Sequence, residues 1–160
     1  MFKKKNHIFL IFLLFAISAS LIAAFIIEYG LGHQPCKLCI YERVPYILSI
    51  FLILEIIFLN KKEKIALLLL SLIFFFSSLL AFYHFGIEQS LFDGLSVCES
   101  KDSFENLSKE QLLAQLKENT VSCKNVTFTI LGLSLATINS IFSLVLSVIF
   151  LKLYLNYEKN

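Results

Sequence analysis

The chain has 160 residues, 58% of them hydrophobic and only 16% charged. A soluble domain carries about a quarter charged residues, so this composition excludes an ordinary soluble core and points to a membrane protein. The net charge is only +2, with no basic patch beside an aromatic groove, no Gly-rich phosphate loop and no H-E-x-x-H motif, which leaves nucleic-acid and nucleotide chemistry without support.

Lys3, Lys4 and Lys5 precede the charge-free run Ile8–Ile27. Twenty helical residues cover about 30 Å, the thickness of a bilayer's hydrocarbon core. A secretory signal has a shorter apolar region, and three more apolar runs follow, so residues 8–29 read as an uncleaved first membrane helix. A short loop is expected over 30–40, a second helix over 41–59, a third over 65–85, a long polar loop over 86–125 and a fourth helix over 126–154. Ala16, Ser20 and Ala24 in the first helix, and Gly132, Ala136 and Ser140 in the fourth, repeat at a spacing that lets helices approach closely in lipid. The expected fold is a single all-α membrane domain, a four-helix bundle.

Lysines fix the orientation. Eight of the fourteen basic residues lie at the N-terminus (Lys3, Lys4, Lys5), between the second and third helices (Lys61, Lys62, Lys64) and at the C-terminus (Lys152, Lys159). The loop 86–125 sets four lysines against seven carboxylates, a net −3. Both termini are therefore expected in the cytoplasm, with loops 30–40 and 86–125 outside. Within the second loop, Ser108-Lys109-Glu110-Gln111 has a capping pattern ahead of Leu112, Leu113 and Leu116. This predicts a short amphipathic helix, lying on the membrane surface or packed on the loop.

All four cysteines then fall outside: Cys36 and Cys39 in the first loop, Cys98 and Cys123 in the second. Disulfides persist in such a compartment. Four cysteines allow three connectivities, of which Cys36–Cys39 with Cys98–Cys123 is the simplest. A bridge across so short a loop removes little unfolded-chain entropy, so Cys36–Cys39 is a poor staple and a good candidate for exchange chemistry; Cys98–Cys123 fits a staple as well. Zinc needs four tetrahedral ligands, which this pattern matches only loosely, and no metal is expected.

Pro35 suits the first residue of a helix. Cys36 would follow in the first turn, where free N–H groups favour a thiolate. Cys39 and Arg43 lie three and then four residues further on, so the three side chains would form one stripe descending into the membrane. Arg43 in that stripe could stabilise a thiolate or an electron-rich oxygen on a lipid-soluble acceptor; alone it would reach for headgroups. His84, at the outer end of the third helix, is a candidate for acceptor contact or proton transfer, or a plain interfacial histidine. His33 lies close to Cys36. Glu42 is expected to face water or pair with Arg43, and Glu55 to reach the cytoplasmic interface near Lys61 or Lys62.

Gln34-Pro35-Cys36-Lys37-Leu38-Cys39-Ile40-Tyr41-Glu42-Arg43 closely resembles the signature of the disulfide bond formation protein B (DsbB) family. Tyr83-His84-Phe85-Gly86-Ile87-Glu88 and Leu131-Gly132-Leu133-Ser134-Leu135-Ala136 are similar to that family as well, and the resemblance covers nearly the whole chain. It implies a quinone-coupled oxidase of the bacterial inner membrane that reoxidises DsbA, a periplasmic thioredoxin-like dithiol oxidase. Ubiquinone or menaquinone would be the cofactor. On this resemblance Cys98 forms the mixed disulfide with the partner and Cys123 is its mate. Cys36 passes oxidising equivalents between the loops, Cys39 touches the quinone ring, and Arg43 stabilises a quinone oxygen.

Overall fold

Apolar residues in long unbroken runs take up helix along most of the chain. The computed structural model describes residues 4–59, 63–89, 91, 123, 129–130 and 132–158. Helix α1 spans Lys4–Phe25 and continues as one π-helical turn, Ile26–Gly30. A short α2 covers Lys37–Tyr41, α3 Val44–Leu59 and α4 Glu63–Glu88. Strands β1 (Thr129–Ile130) and β2 (Leu133–Ser134) form an antiparallel hairpin before α5, Leu135–Glu158. Cys98, the pairing Cys98–Cys123 and the amphipathic helix expected near Ser108 lie outside the described residues.

Among the described residues, three helical stretches are long and apolar enough to cross a membrane: His7–Gly30, Glu63–Glu88 and Leu135–Tyr157. The expected second helix is shorter than its sequence run. Its 16 residues in α3 rise about 24 Å. The cause is Pro45, which has no N–H to donate to the carbonyl one turn back. The chain turns at Glu42–Arg43 and restarts, with the Ile47 N–H donating to the Arg43 carbonyl at 3.2 Å.

The fourth helix also starts later than expected, at Leu135 instead of residue 126. Gly132 has φ +81°, a left-handed conformation that ends any helix and suits a tight turn. Thr129 and Ile130 before it are β-branched and favour extended backbone. Ser134 then caps α5, its Oγ accepting from the Thr137 N–H at 3.3 Å. Gly132 thus belongs to the hairpin and not to a helix-packing stripe, whereas Ala136 is buried.

Helices α4 and α5 share the largest interface. Two reciprocal serine clasps, seven residues apart on each helix, hold it. Ser71 and Ser147 each donate to the other's carbonyl, at 3.2 and 2.9 Å. Ser78 and Ser140 do the same at 3.0 and 3.2 Å. Side chains this small let the backbones come close, and such bonds in bilayers contribute about 0.6 kcal/mol each. Ser78→Ala should therefore change stability little. Ser78→Leu should cost about 1–3 kcal/mol by overpacking the seam; unfolding of both variants in detergent checks the contrast.

The core between the helices is aromatic and aliphatic. Phe74 stacks on Phe150 with ring centroids 5.7 Å apart, and Tyr46 meets Phe74 edge-on at 5.6 Å. Leu10, Leu13 and Ile17 bring α1 to this cluster, and Ile53 and Ile56 bring α3. Phe12, Phe15, Phe51, Phe58 and Phe76 point outward. A surface that apolar suits hydrocarbon rather than water.

Candidate active site

The two N-terminal cysteines sit where α1 has ended and α2 begins. The loop between them turns at Gly32, whose φ is +74°. Cys36 is the N-cap of α2, so the helix starts at Lys37, two residues later than the sequence suggested, and Pro35 lies outside it. The Cys36 Sγ accepts from the Cys39 N–H at 3.3 Å, and the two sulfurs lie 2.9 Å apart as thiols. Cys36 is buried and Cys39 half-buried.

A helix start was expected to favour a thiolate at Cys36, but the environment does the reverse. The hydrogen bond with Cys39, followed by burial, pushes the Cys36 thiol up from 9.0 to about 12, while His84 pulls it down. A five-residue helix has little dipole to set against this. Cys36 therefore holds its proton at neutral pH unless a neighbour takes it.

His84 stands beside that thiol. It is buried near the outer end of α4, with Nε2 at 3.4 Å from the Cys36 Sγ. Its Nδ1 lies 2.7 Å from the Glu42 Oε1. A carboxylate at that distance favours a proton on Nδ1; with Nε2 unprotonated, that nitrogen is the acceptor facing the thiol. The Glu88 Oε1 is 3.8 Å from the same Nε2. Glu42 is buried and occupied on both oxygens, which overturns the expectation that it faces water or pairs with Arg43. Asn139 of α5 donates Nδ2 to the Glu42 Oε2 at 2.6 Å. The Tyr46 hydroxyl in turn donates to the Asn139 Oδ1 and lies 3.1 Å from the Ser143 Oγ. Thiol, imidazole and carboxylate thus stand in line.

Arg43 does not continue the Cys36–Cys39 stripe along one helix, because the helix breaks at Glu42–Arg43. It forms an ion pair with Glu28 of the π-helical turn, and its guanidinium lies 4.9 Å from the centre of the Phe25 ring. Both partners of the pair are largely shielded. Neither Glu28 nor Asn139 stands out in the sequence: one closes an apolar run and the other is a polar residue in a membrane helix. An intramembrane polar group is the signal that could have flagged them.

These residues surround a cavity of about 420 Å³. Leu21, Ala24 and Ile27 of α1 and Ile138 and Phe142 of α5 form apolar walls, while Cys39, Arg43 and His84 line it too. His33 also lines it. Cys123 is buried in one cluster with Cys36, Leu38 and Ile87, with Cys39 packed against them. The structure therefore gathers Cys36, Cys39, Arg43, His84 and Cys123 around one space. Glu55 is half-buried far along α3, and Lys61 and Lys62 lie outside the described residues.

The family model for disulfide bond formation protein DsbB matches residues 5–153. The chain is also 30% identical to the uncharacterized protein RP370 of Rickettsia prowazekii (strain Madrid E), over 99% of this chain and 93% of that protein. The match runs from α1 through the cysteine loop and His84 to the far end of α5. This chain is a multi-pass membrane protein and belongs to the DsbB family of disulfide bond formation proteins.

Proposed function

We propose that this protein oxidises the dithiol of a periplasmic thioredoxin-fold oxidase of the DsbA type and passes the electrons to membrane quinone. The observation that carries this reading is the burial of Cys123 beside Cys36 at the wall of an apolar cavity that Cys39 and Arg43 also line. In this reading α3, extended by α2, crosses as the second of four membrane helices. Both termini face the cytoplasm of the bacterial inner membrane and the cysteines face the periplasm. The pairs Cys36–Cys39 and Cys98–Cys123 cycle between dithiol and disulfide.

The cavity fits a quinone head group by volume and character. Small-ligand sites are about 300–1,000 Å³, mostly apolar with a few convergent polar groups. Arg43 and His84 are those groups here. A bound ubiquinone or menaquinone supplies a two-electron acceptor soluble in lipid. Arg43 places positive charge at the cavity wall, Glu28 and Phe25 fix its position, and Cys39 presents its sulfur from the half-buried side. His84 accepts the Cys36 proton as that sulfur becomes a nucleophile, and Glu42 stabilises the imidazolium. Cys98, in the long polar loop, exchanges with the soluble partner, and Cys123 carries the disulfide inward to Cys36. The apolar walls keep water from the exchanging sulfurs.

The test is anaerobic quinone reduction by the purified chain with a reduced thioredoxin-fold dithiol oxidase. Quinone bleaching that requires both chain and dithiol is expected. Thiol oxidation without stoichiometric quinone reduction would overturn the reading. Within the same assay, Arg43→Met should raise the quinone KM about tenfold or more, as expected for a lost hydrogen bond to a charged group of about 1.5–3 kcal/mol. The KM for the partner should stay unchanged.

A further inference from the structure

The cysteine motif brings only two ligands to any metal, which is why its spacing argues weakly for one. Folding adds a third from 45 residues further along. The Cys36 Sγ, Cys39 Sγ and His84 nitrogen all lie within 4.8 Å of one another. We propose that in its reduced state the protein binds a soft divalent cation of the Zn²⁺ class at Cys36, Cys39 and His84, and that this binding competes with disulfide formation.

Three features support a site rather than a chance cluster. The donor set of two thiols and one imidazole is the type Zn²⁺ prefers. The geometry is nearly in place: zinc bonds of about 2.3 Å to sulfur imply roughly 3.8 Å between two sulfurs in a tetrahedron, against 2.9 Å here. Opening by that small amount falls to Cys39, which is half-buried on a five-residue helix. Lastly, the histidine has the partner a metal ligand needs. Its Nδ1 is held by the Glu42 carboxylate at 2.7 Å, which leaves Nε2 aimed at the sulfurs, and Asn139 fixes that carboxylate in turn. A carboxylate behind a ligating imidazole sets its tautomer and raises its basicity. The fourth position is open to water from the cavity or to Cys123, which packs in the same cluster.

The chemistry balances without a redox change. Two S–H bonds break, two metal–sulfur bonds form and two protons pass to solvent. The disulfide form has no thiolate to offer, so binding belongs to the reduced state alone. The effect on turnover rests on the proposed function, since a metal there would hold both electron-carrying sulfurs. The binding itself does not depend on that reading and is measured without quinone or partner.

The experiment titrates Zn²⁺ into the full-length chain in detergent against a chromophoric chelator, once with the protein reduced and once oxidised. Co²⁺ replaces Zn²⁺ in a parallel arm, to read thiolate-to-metal charge transfer and tetrahedral absorption. One equivalent per reduced chain and none per oxidised chain is expected. Cys36→Ser should abolish the site, and Glu42→Gln should weaken it about 10–100-fold, as outer partners of ligating histidines do. Equal binding by the oxidised chain would overturn the proposal, with no variant needed. So would binding that survives Cys36→Ser but disappears with Cys98→Ser, because the metal would then sit on the second cysteine pair. Added Zn²⁺ should slow quinone reduction, reversibly with chelator. Turnover unaffected at saturating Zn²⁺ would overturn the competition while leaving the relay standing.

Discussion

The variant Cys39→Ser is expected to stop turning over and to accumulate a disulfide between Cys36 and Cys123. Both sulfurs are buried in one small cluster with Leu38 and Ile87, so little movement is needed for one to attack a bridge carried by the other. In the intact chain Cys39 lies 2.9 Å from the Cys36 Sγ and can resolve such a bridge by displacing Cys123. Serine in its place cannot, because an alcohol is no nucleophile toward a disulfide under these conditions, where exchange requires a thiolate. Peptide mapping of the non-reduced variant after incubation with oxidised partner should recover Cys36 joined to Cys123. The converse variant, Cys36→Ser, should lose turnover as completely and yield no such species. Full activity in either one, or Cys36 recovered only as a free thiol from Cys39→Ser, would remove this route between the loops.

Loss of His84 should have the next largest effect, and it should carry a pH signature. The Cys36 thiol is pushed up to about 12, so without an internal acceptor its thiolate is scarce at neutral pH. A positioned base contributes about 10²–10⁴-fold, and His84→Ala should slow the Cys36-dependent step by that order. The sign of the pH response follows from the thiol being an acid. Its thiolate fraction rises about tenfold per pH unit below its own pKa, so the variant's rate should climb with pH where the parent's is flatter. Cys39, Glu42 and Glu88 are the other titratable groups facing this pair; the Cys39 sulfur lies 2.9 Å from the Cys36 Sγ but is a weaker acceptor than a ring nitrogen, and both carboxylates are turned to the ring.

Glu42 separates positioning from structure. Glu42→Gln keeps the volume, but an amide turned toward Nδ1 as donor moves the ring proton to Nε2 and makes the acceptor a donor. Activity should fall while thermal unfolding barely moves. Glu42→Ala leaves a buried histidine and asparagine without a partner, a loss of about 3–5 kcal/mol for a broken buried pair. Equal loss of activity and stability in both variants would assign Glu42 a purely structural role.

The helices were legible because hydropathy over twenty residues is a strong signal and the lysine pattern is independent of it. The hairpin before α5 was hidden by that same hydropathy. Val126–Ile130 is apolar enough to read as membrane helix, and only Gly132, with its positive φ, separates strand from helix. The cysteine motif and Arg43 were visible from spacing, but their alignment along one helix was not preserved, because the helix breaks at Glu42–Arg43, just ahead of Pro45. Glu42 was visible as a residue and misplaced as a role. Its partners, His84 and Asn139, are 42 and 97 residues away, and no periodicity reports contacts at that range. Cys123 illustrates the same limit: its burial against Cys36 is a product of tertiary packing that no spacing reports.

The carboxylate of Glu42 also has a consequence for biosynthesis. One of its oxygens is held from α4 and the other from α5, which leaves the ribosome after both the cysteine loop and α4. The cysteine loop is synthesised before a quarter of the chain is complete, yet its hydrogen-bonded surroundings close only when Asn139 has been inserted. Until then the nascent membrane protein carries its thiols beside a Glu42 carboxylate that α5 has yet to hold. Under the proposed function, activity therefore waits for α5 to dock, and a chain truncated before α5 would present the whole cysteine motif without Asn139 to hold Glu42.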